Sequence, residues 1–193
     1  MIGLLAAAAV TAAAAPWPGD WRPSPAQAQR LAAGDVVVEM LPDPGRSSGV
    51  IHAAIDIAAP LPRVWAIVED CAGAPKVVTF LESCRILSHG PPATWDVRED
   101  MVITAFFLPR LRTFVRTDQT PMRQVRFRCL PGSELKSCDG GWALETTPAG
   151  ATRVTYATTV SSPYPLPDFI IRTVIGGGMN QSMVNLRHAA TGR

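Results

Sequence analysis

The chain has 193 residues, enough for one domain with a well-buried core and too few for two. Apolar residues make up 47% of the sequence and charged residues 18%, which excludes a disordered chain and a highly charged nucleic-acid-binding protein. The formal net charge of +2 indicates no particular partner.

The N-terminus resembles a targeting segment. Residues 1–15 form an apolar, small-residue run that ends in three alanines before Pro16, as the hydrophobic region and cleavage site of a secretory signal peptide do. We therefore predict a signal peptide over 1–15 and export to the periplasm. The run contains no Lys or Arg, so a misplaced start codon or a cytoplasmic protein with an alanine-rich leader is the alternative. Residues 16–33, rich in Pro and polar residues, predict an extended N-terminal segment.

Two short β segments come next. Residues 35–40 are β-branched and predict a strand, residues 41–49 predict a loop, and residues 50–58 alternate as a half-buried strand does. One face of this strand is aliphatic and carries Ile51, Ala53, Ile55 and Ile57. His52 and Asp56 lie on the other face, where we expect His52 to be solvated.

Two helices are predicted after this strand. Pro60 and Pro62 stop the strand and fit a first helical turn, and apolar residues at helical spacing then predict a helix that ends near Cys71. A second short helix is predicted over residues 75–80, and a new strand over residues 83–88.

The rest of the chain predicts a meander and a final helix. From Trp95 onward, strands alternate with Gly- and Pro-rich turns, which predicts antiparallel neighbours. Residues 169–190 predict an amphipathic helix of about five turns. Its apolar face consists of Ile171, Ile175, Met179, Met183 and Leu186. Glycines at 176–178 each cost roughly 1 kcal/mol relative to Ala, so either the helix breaks there or a neighbour packs too close for a Cβ.

Four cysteines, an even number, are typical of an oxidising compartment. Cys71 and Cys84 bracket a short segment, as do Cys129 and Cys138, and a disulfide that closes such a loop stabilises by about 3 kcal/mol. We predict these two pairs, and the other two connectivities stay open. A four-cysteine zinc site would need a C-x-x-C pair, which the sequence lacks. We expect no metal and no cofactor.

Two stretches of sequence carry a family resemblance. Residues 55–71, IDIAAPLPRVWAIVEDC, and residues 141–160, GWALETTPAGATRVTYATTV, are similar to the bacterial polyketide cyclase/dehydrase (SRPBCC) branch of the START-like, Bet v 1-like superfamily. The resemblance implies an α+β helix-grip fold, in which a curved antiparallel sheet wraps around a long C-terminal helix and two short helices follow the first core strand. It implies a START-like ligand-binding domain over residues 34–193. The signal-like start, the paired cysteines and the three glycines depart from the family pattern.

The resemblance also implies an apolar cavity beneath the C-terminal helix. We expect its wall to come from the meander and that helix, and to consist of Phe106, Phe107, Trp142, Tyr156, Ile171, Ile175, Met179, Ser182, Met183 and Leu186. Residues 106–109 are expected to form a bulge or loop near the mouth. The alternative is that Met179 and Met183 pack a solid core.

No sequence motif for a nucleophile with its base, a metal or a phosphate is present. His89 and His188, like His52, are expected at the solvated surface. Isolated polar groups in a cavity could still do acid–base chemistry, and Tyr156, Gln181 and Asn185 are the candidates. Because these residue types are more often structural, no catalytic residue is assigned, and the non-enzyme interpretation is favoured.

Arginines alternate along two neighbouring strands, at Arg112, Arg116, Arg126 and Arg128. Paired in a hairpin, they would share one face of the sheet. One interpretation is a surface that docks transiently on anionic lipid headgroups. The favoured alternative is an ordinary solvated face. Nucleic acid is not expected, since only one aromatic residue, Phe114, is interleaved.

These observations predict an exported, monomeric carrier of an apolar small molecule or lipid. The alternative is a cyclase or dehydratase that acts on a polyketide or aromatic precursor, which would show a polar cluster inside the cavity. A third hypothesis is a structural module with a filled core, which would lack a pocket of about 300 Å³ or more.

Overall fold

The computed structural model describes residues 21–43, 48–91, 94–103, 108–165, 167 and 175–192. The elements in chain order are α1 (Pro25–Ala32), β1 (Val36–Asp43), β2 (Ser48–Ile57), α2 (Leu61–Glu69), α3 (Ala74–Val77), β3 (Leu81–His89), β4 (Trp95–Val102), β5 (Leu111–Thr120), β6 (Gln124–Cys129), β7 (Ser137–Thr146), β8 (Thr152–Ser161) and α4 (Gly176–Thr191). None of the helices in these ranges is long and apolar enough to span a membrane.

The strands form one antiparallel sheet in the order β1-β2-β8-β7-β6-β5-β4-β3. From β3 to β8 each strand pairs with the next along the chain, so the meander predicted from the turn signals is confirmed. The hairpin of β1 and β2 joins the meander where β2 pairs with β8. Helix α4 contacts β1, β2, α2 and α3 on the inner face of this curved sheet. The helix-grip fold is therefore confirmed.

The core lies between α4 and the inner face of β2 and β8. The aliphatic face predicted for β2 is buried: Ile55 and Ile57 are 0% exposed, and α4 contributes Met179, Met183 and Leu186 to the same cluster. This burial follows from strand alternation on one side and from helical spacing on the other.

Helix α1 corrects the expectation of an extended segment over residues 16–33, since residues 25–32 are helical; residues 16–20 lie outside the described residues. Ser24 caps it: its hydroxyl accepts from the Gln27 N–H at 3.3 Å, and the Gln27 side chain accepts from the Ser24 N–H at 2.8 Å. Pro25 occupies the first turn, where its missing N–H is harmless. The sequence contains the residues of this capping box, but the helix was not predicted because the surrounding prolines indicated an extended segment.

His52 also differs from expectation, since it is buried and not solvated. Its ring is stacked on Trp21, with centroids 5.0 Å apart, and its Nδ1 lies 3.5 Å from Glu39 Oε2. The outer face of β2 is thus covered by the segment around α1, which packs Leu31 against Ala54. His89 and His188 are exposed.

Both predicted disulfides are present. Cys71 joins Cys84, with Cα atoms 5.4 Å apart, and links the end of α2 to β3. Cys129 joins Cys138, with Cα atoms 5.3 Å apart, and links β6 to β7.

The glycine run lies at the start of the described part of the final helix. A Cβ at Gly178 would overlap the Phe80 ring, whereas Gly176 and Gly177 have open space around them. Close packing therefore explains one of the three glycines. Residues 169–174 of the predicted helix lie outside the described residues.

Candidate ligand cavity

A cavity of about 230 Å³ lies between the inner face of the sheet and the helices α2, α3 and α4. It is larger than a cavity of about 150 Å³ that takes up benzene, and smaller than the roughly 300 Å³ at which pockets for drug-sized ligands begin. The space fits a compact apolar molecule or part of a longer one. The described part of the chain therefore lacks a pocket of 300 Å³ or more, as the filled-core hypothesis predicts, but the core is not filled, since this space remains between the sheet and the helices.

Five of the residues expected on the wall are found there, namely Trp142, Tyr156, Ile175, Met179 and Leu186. Strands β7 and β8 bring Trp142 and Tyr156 side by side, with ring centroids 4.5 Å apart. The ring of Phe127, on β6, lies 6.0 Å from that of Tyr156. Three aromatic rings from successive strands thus form one side of the cavity.

Ser182 and Met183 were expected on the wall, but they are buried in the packing beneath it. The Ser182 hydroxyl accepts from the Thr79 N–H at 3.0 Å and donates to the Gly178 carbonyl oxygen at 2.9 Å. Met183 belongs to the core cluster. Phe106, Phe107 and Ile171, and the loop expected near the mouth, lie outside the described residues.

The segment closed by the Cys71–Cys84 disulfide, residues 72–83, forms another part of the wall. The apolar side chains it contributes are those of Ala74, Val77, Val78, Phe80 and Leu81. Besides the disulfide, two side chains of α4 hold this segment, since Ser182 binds the Thr79 N–H and Asn185 Nδ2 donates to the Val77 carbonyl oxygen at 3.3 Å. This disulfide-closed segment is therefore fastened both to the sheet and to α4.

A polar cluster borders the cavity on the inner face of β4, and sequence reasoning missed it. Arg98 donates to Asp96 through Nε at 2.7 Å and Nη2 at 2.9 Å, and its Nη2 also donates to the Glu69 carbonyl oxygen at 3.2 Å. Thr117, on β5, donates to the same Asp96 carboxylate at 2.6 Å. The signal was the alternation in residues 95–100, WDVRED, which places the charged residues Asp96, Arg98 and Asp100 on one face.

Asp100 is the next inward residue of β4, and its carboxyl has no such partners. Its Oδ1 is buried and finds no hydrogen-bond partner among the described residues. Burial raises the pKa of Asp100 to about 6, against the opposing effect of the nearby Arg98 charge. Asp100 and Arg98 both line the cavity, so the wall contains one neutralised cation and one carboxyl that titrates near neutral pH.

The three acid–base candidates from the sequence are placed differently. Tyr156 is on the wall, where burial raises the pKa of its phenol above the ordinary value, so the phenol stays protonated at neutral pH. Gln181 is exposed and donates to Asn185 Oδ1 at 2.8 Å, and Asn185 is engaged with α3. Neither amide is among the lining residues.

The four arginines lie together on the outer face of β5 and β6, where Arg116 pairs with Arg128 in the strand register. Carboxylates accompany them: Asp118 lies 2.9 Å from Arg116 and 3.9 Å from Arg128, and Glu99 lies 3.9 Å from Arg112. Arg126 is exposed. The positive charge of this face is therefore partly neutralised, and the face is on the opposite side of the sheet from the cavity.

Comparison with known proteins agrees with this architecture. A family model described as polyketide cyclase / dehydrase and lipid transport matches residues 57–186. No curated protein sequence matches the chain.

Solved structures share the fold at low sequence identity. The Zhui aromatase/cyclase from Streptomyces sp. R1128 has a TM-score of 0.63 at 18% identity, covering 75% of this chain and 94% of its own. A STAR-related lipid transfer protein from Xanthomonas axonopodis has a TM-score of 0.66 at 13% identity, covering 81% and 93%. A START superfamily protein from Mycobacterium smegmatis has a TM-score of 0.61 at 14% identity, covering 74% and 97%.

Proposed function

Because the chain belongs to the polyketide cyclase/dehydrase and lipid transport family, we propose that it is an exported carrier of an apolar small molecule or lipid, which it holds beneath α4. The observation that carries the proposal is the cavity of about 230 Å³, whose wall is mostly aliphatic and aromatic. Such a wall favours a ligand that exchanges water for apolar contacts, each buried methylene contributing roughly 0.8 kcal/mol. The two disulfides support the exported part of the proposal, since such bonds persist in oxidising compartments.

The proposal is tested by filling the cavity. Ala74 lines it, and Ala66, on α2, is exposed, so Ala74→Phe and Ala66→Phe add the same ring inside and outside the cavity. We expect Ala74→Phe to weaken binding of an apolar fluorescent probe at least about tenfold, because the ring removes space that the probe needs. Ala66→Phe should bind as the wild type does. Thermal unfolding followed by circular dichroism checks that both variants are folded.

Protein purified from its own organism gives an independent measurement. Native mass spectrometry followed by lipid extraction should find a bound apolar molecule that is released on unfolding. Recovery of folded, empty protein, together with probe binding that Ala74→Phe leaves unchanged, would contradict the carrier proposal.

A second candidate function is a cyclase or dehydratase, and the polar cluster expected for it is present on the cavity wall, which includes Arg98, Asp100 and Thr117. Asp100 is a buried carboxyl on the cavity wall with a pKa of about 6, in the range useful for general acid–base catalysis at neutral pH. The carrier is preferred because the other titratable groups on the described wall are Arg98, which is paired with Asp96, and Tyr156, whose raised pKa makes it a poor acid at neutral pH. Incubation with a poly-β-ketone mimic decides between them. If the wild type converts the mimic, and Asp100→Asn abolishes turnover while probe binding persists, the protein is an enzyme. If the wild type shows no turnover, the cyclase or dehydratase hypothesis is rejected.

A further inference from the structure

The polar groups of the cavity wall are unequally satisfied. Arg98 is held by both oxygens of Asp96 and by the Glu69 carbonyl, so its charge is neutralised within the protein. Asp100, two residues further along β4, has a buried Oδ1 with no hydrogen-bond partner in the described ranges. A buried polar atom without a partner destabilises the folded state, so such atoms in native proteins call for a physical explanation.

The neighbours of Asp100 across the sheet cannot satisfy it. Its partner on β3 is Cys84, which is consumed in a disulfide and has no S–H to donate. Its partner on β5 is Thr113, whose hydroxyl donates to the backbone carbonyl of Asp100 at 3.4 Å and not to the carboxyl. A donor for this carboxyl therefore has to come from outside these three strands.

We infer that Asp100 is the polar subsite of the cavity and accepts a hydrogen bond from a neutral hydroxyl group on an otherwise apolar ligand. The inference rests on the proposed binding function and names the class of ligand: a long-chain or ring alcohol or phenol, and not a fatty acid. A carboxylate would meet the like charge of Asp100. An ammonium would be attracted by the Asp100 carboxylate, but its desolvation in an apolar cavity costs far more free energy than that of a neutral hydroxyl.

Four molecules with the same chain test the ligand class: decane, decanol, decanoate and decylamine, each used to displace an apolar fluorescent probe at pH 8. We expect decanol to bind about ten to a hundred times more tightly than decane, the worth of a hydrogen bond to a charged group. Decanoate should bind more weakly than decanol. Asp100→Leu should abolish the preference for decanol and retain decane binding. The matched control, Asp139→Leu, removes an exposed carboxyl on β7 and should keep the preference.

The outcomes separate this inference from the proposed function. Equal binding of decane and decanol would show that no ligand hydroxyl reaches Asp100, and the subsite would be refuted while the carrier stands. Tighter binding of decanoate or decylamine would refute the choice of a neutral hydroxyl. If none of the four displaces the probe, the carrier proposal itself fails. The order in which the wild type binds the four molecules tests the hydroxyl subsite even if Asp100→Leu does not fold.

Discussion

The two halves of the sheet's inner face are built differently. On the side of β2 and β8, which we call the core side, Ile55, Ile57 and Val154 are 0% exposed and belong to one buried cluster with residues of α4. On the side of β3 to β7, which we call the cavity side, the inward residues include Arg98 and Thr117, and an open space separates the sheet from the helices. One sheet thus provides a packed core at one end and a partly polar chamber at the other.

Different forces hold the two sides. The core side depends on close packing of aliphatic side chains. The cavity side has less of this packing, because the cavity lies between its strands and the helices. Both disulfides lie on this side, with Cys84 and Cys138 on the cavity wall. Covalent bonds and the Asp96–Arg98 ion pair therefore hold together the side of the sheet that has less aliphatic packing.

The largest expected effect compares the same substitution on the two sides. Ile55→Ala should lower the free energy of unfolding by about 2–5 kcal/mol, because Ile55 is wholly buried in the core side. Ile67→Ala should cost less, roughly 1–2 kcal/mol, since that side chain is half-buried and already borders the cavity. Urea unfolding measures both. Equal losses would show that the two sides are packed alike.

Removing the disulfides one at a time tests how the cavity side is held. The Cys71–Cys84 and Cys129–Cys138 bonds close spans of 13 and 9 residues. Replacing either pair by Ser should therefore lower the free energy of unfolding by about 3 kcal/mol. Ligand retention should differ, because the disulfide-closed segment, residues 72–83, carries much of the wall. We expect a bound apolar probe to dissociate faster from Cys71→Ser/Cys84→Ser than from Cys129→Ser/Cys138→Ser, as measured by stopped-flow fluorescence. Identical rates would mean that the segment does not restrain the ligand.

The last effect depends on pH and concerns the free-energy cost of placing the Asp100 carboxyl on the cavity wall. The folded-state pKa of Asp100 is raised from 3.8 to about 6, so its unfolded form ionises first as the pH rises. The wild type therefore has its full stability from this group below pH 4 and loses up to roughly 3 kcal/mol as the pH passes 6.

Asp100→Asn removes that dependence. The variant should gain stability relative to the wild type between about pH 4 and 7, measured by urea unfolding at each pH. Asp139→Asn, which removes an exposed carboxyl, is the control. A constant difference between Asp100→Asn and the wild type across this range would show that the cavity imposes no such cost on Asp100.

Much of the fold could be predicted from the sequence because its signals are local. The alternation in β2, the prolines before α2 and the turn residues of the meander each act over a few residues, and they identified the elements and the buried face of β2. The disulfide pairs could be proposed because each pair closes a short loop. The family resemblance, resting on residues 55–71 and 141–160, then gave the order in which these elements assemble.

On the cavity side, the inward faces of the strands follow from contacts between distant segments and not from the local sequence pattern. In β4 the apolar residues Trp95 and Val97 lie on the outer face, with Arg116 over the Trp95 ring at 4.1 Å, while Asp96, Arg98 and Asp100 point inward. A hydrophobic pattern assigns the faces the other way round. The inward charges are tolerated because residues distant in sequence, Thr117 and the Glu69 carbonyl among them, hydrogen-bond to the Asp96–Arg98 pair.

The burial of His52 beneath Trp21 and the volume of the cavity were likewise decided by contacts between distant segments. The alternation of apolar and polar residues in a strand shows that its two faces differ, but the segments that cover each face determine which one is shielded from solvent. For this protein the sequence determined the elements and their order, and the assembled sheet and helices determined where the empty space lies and that Asp100 borders it.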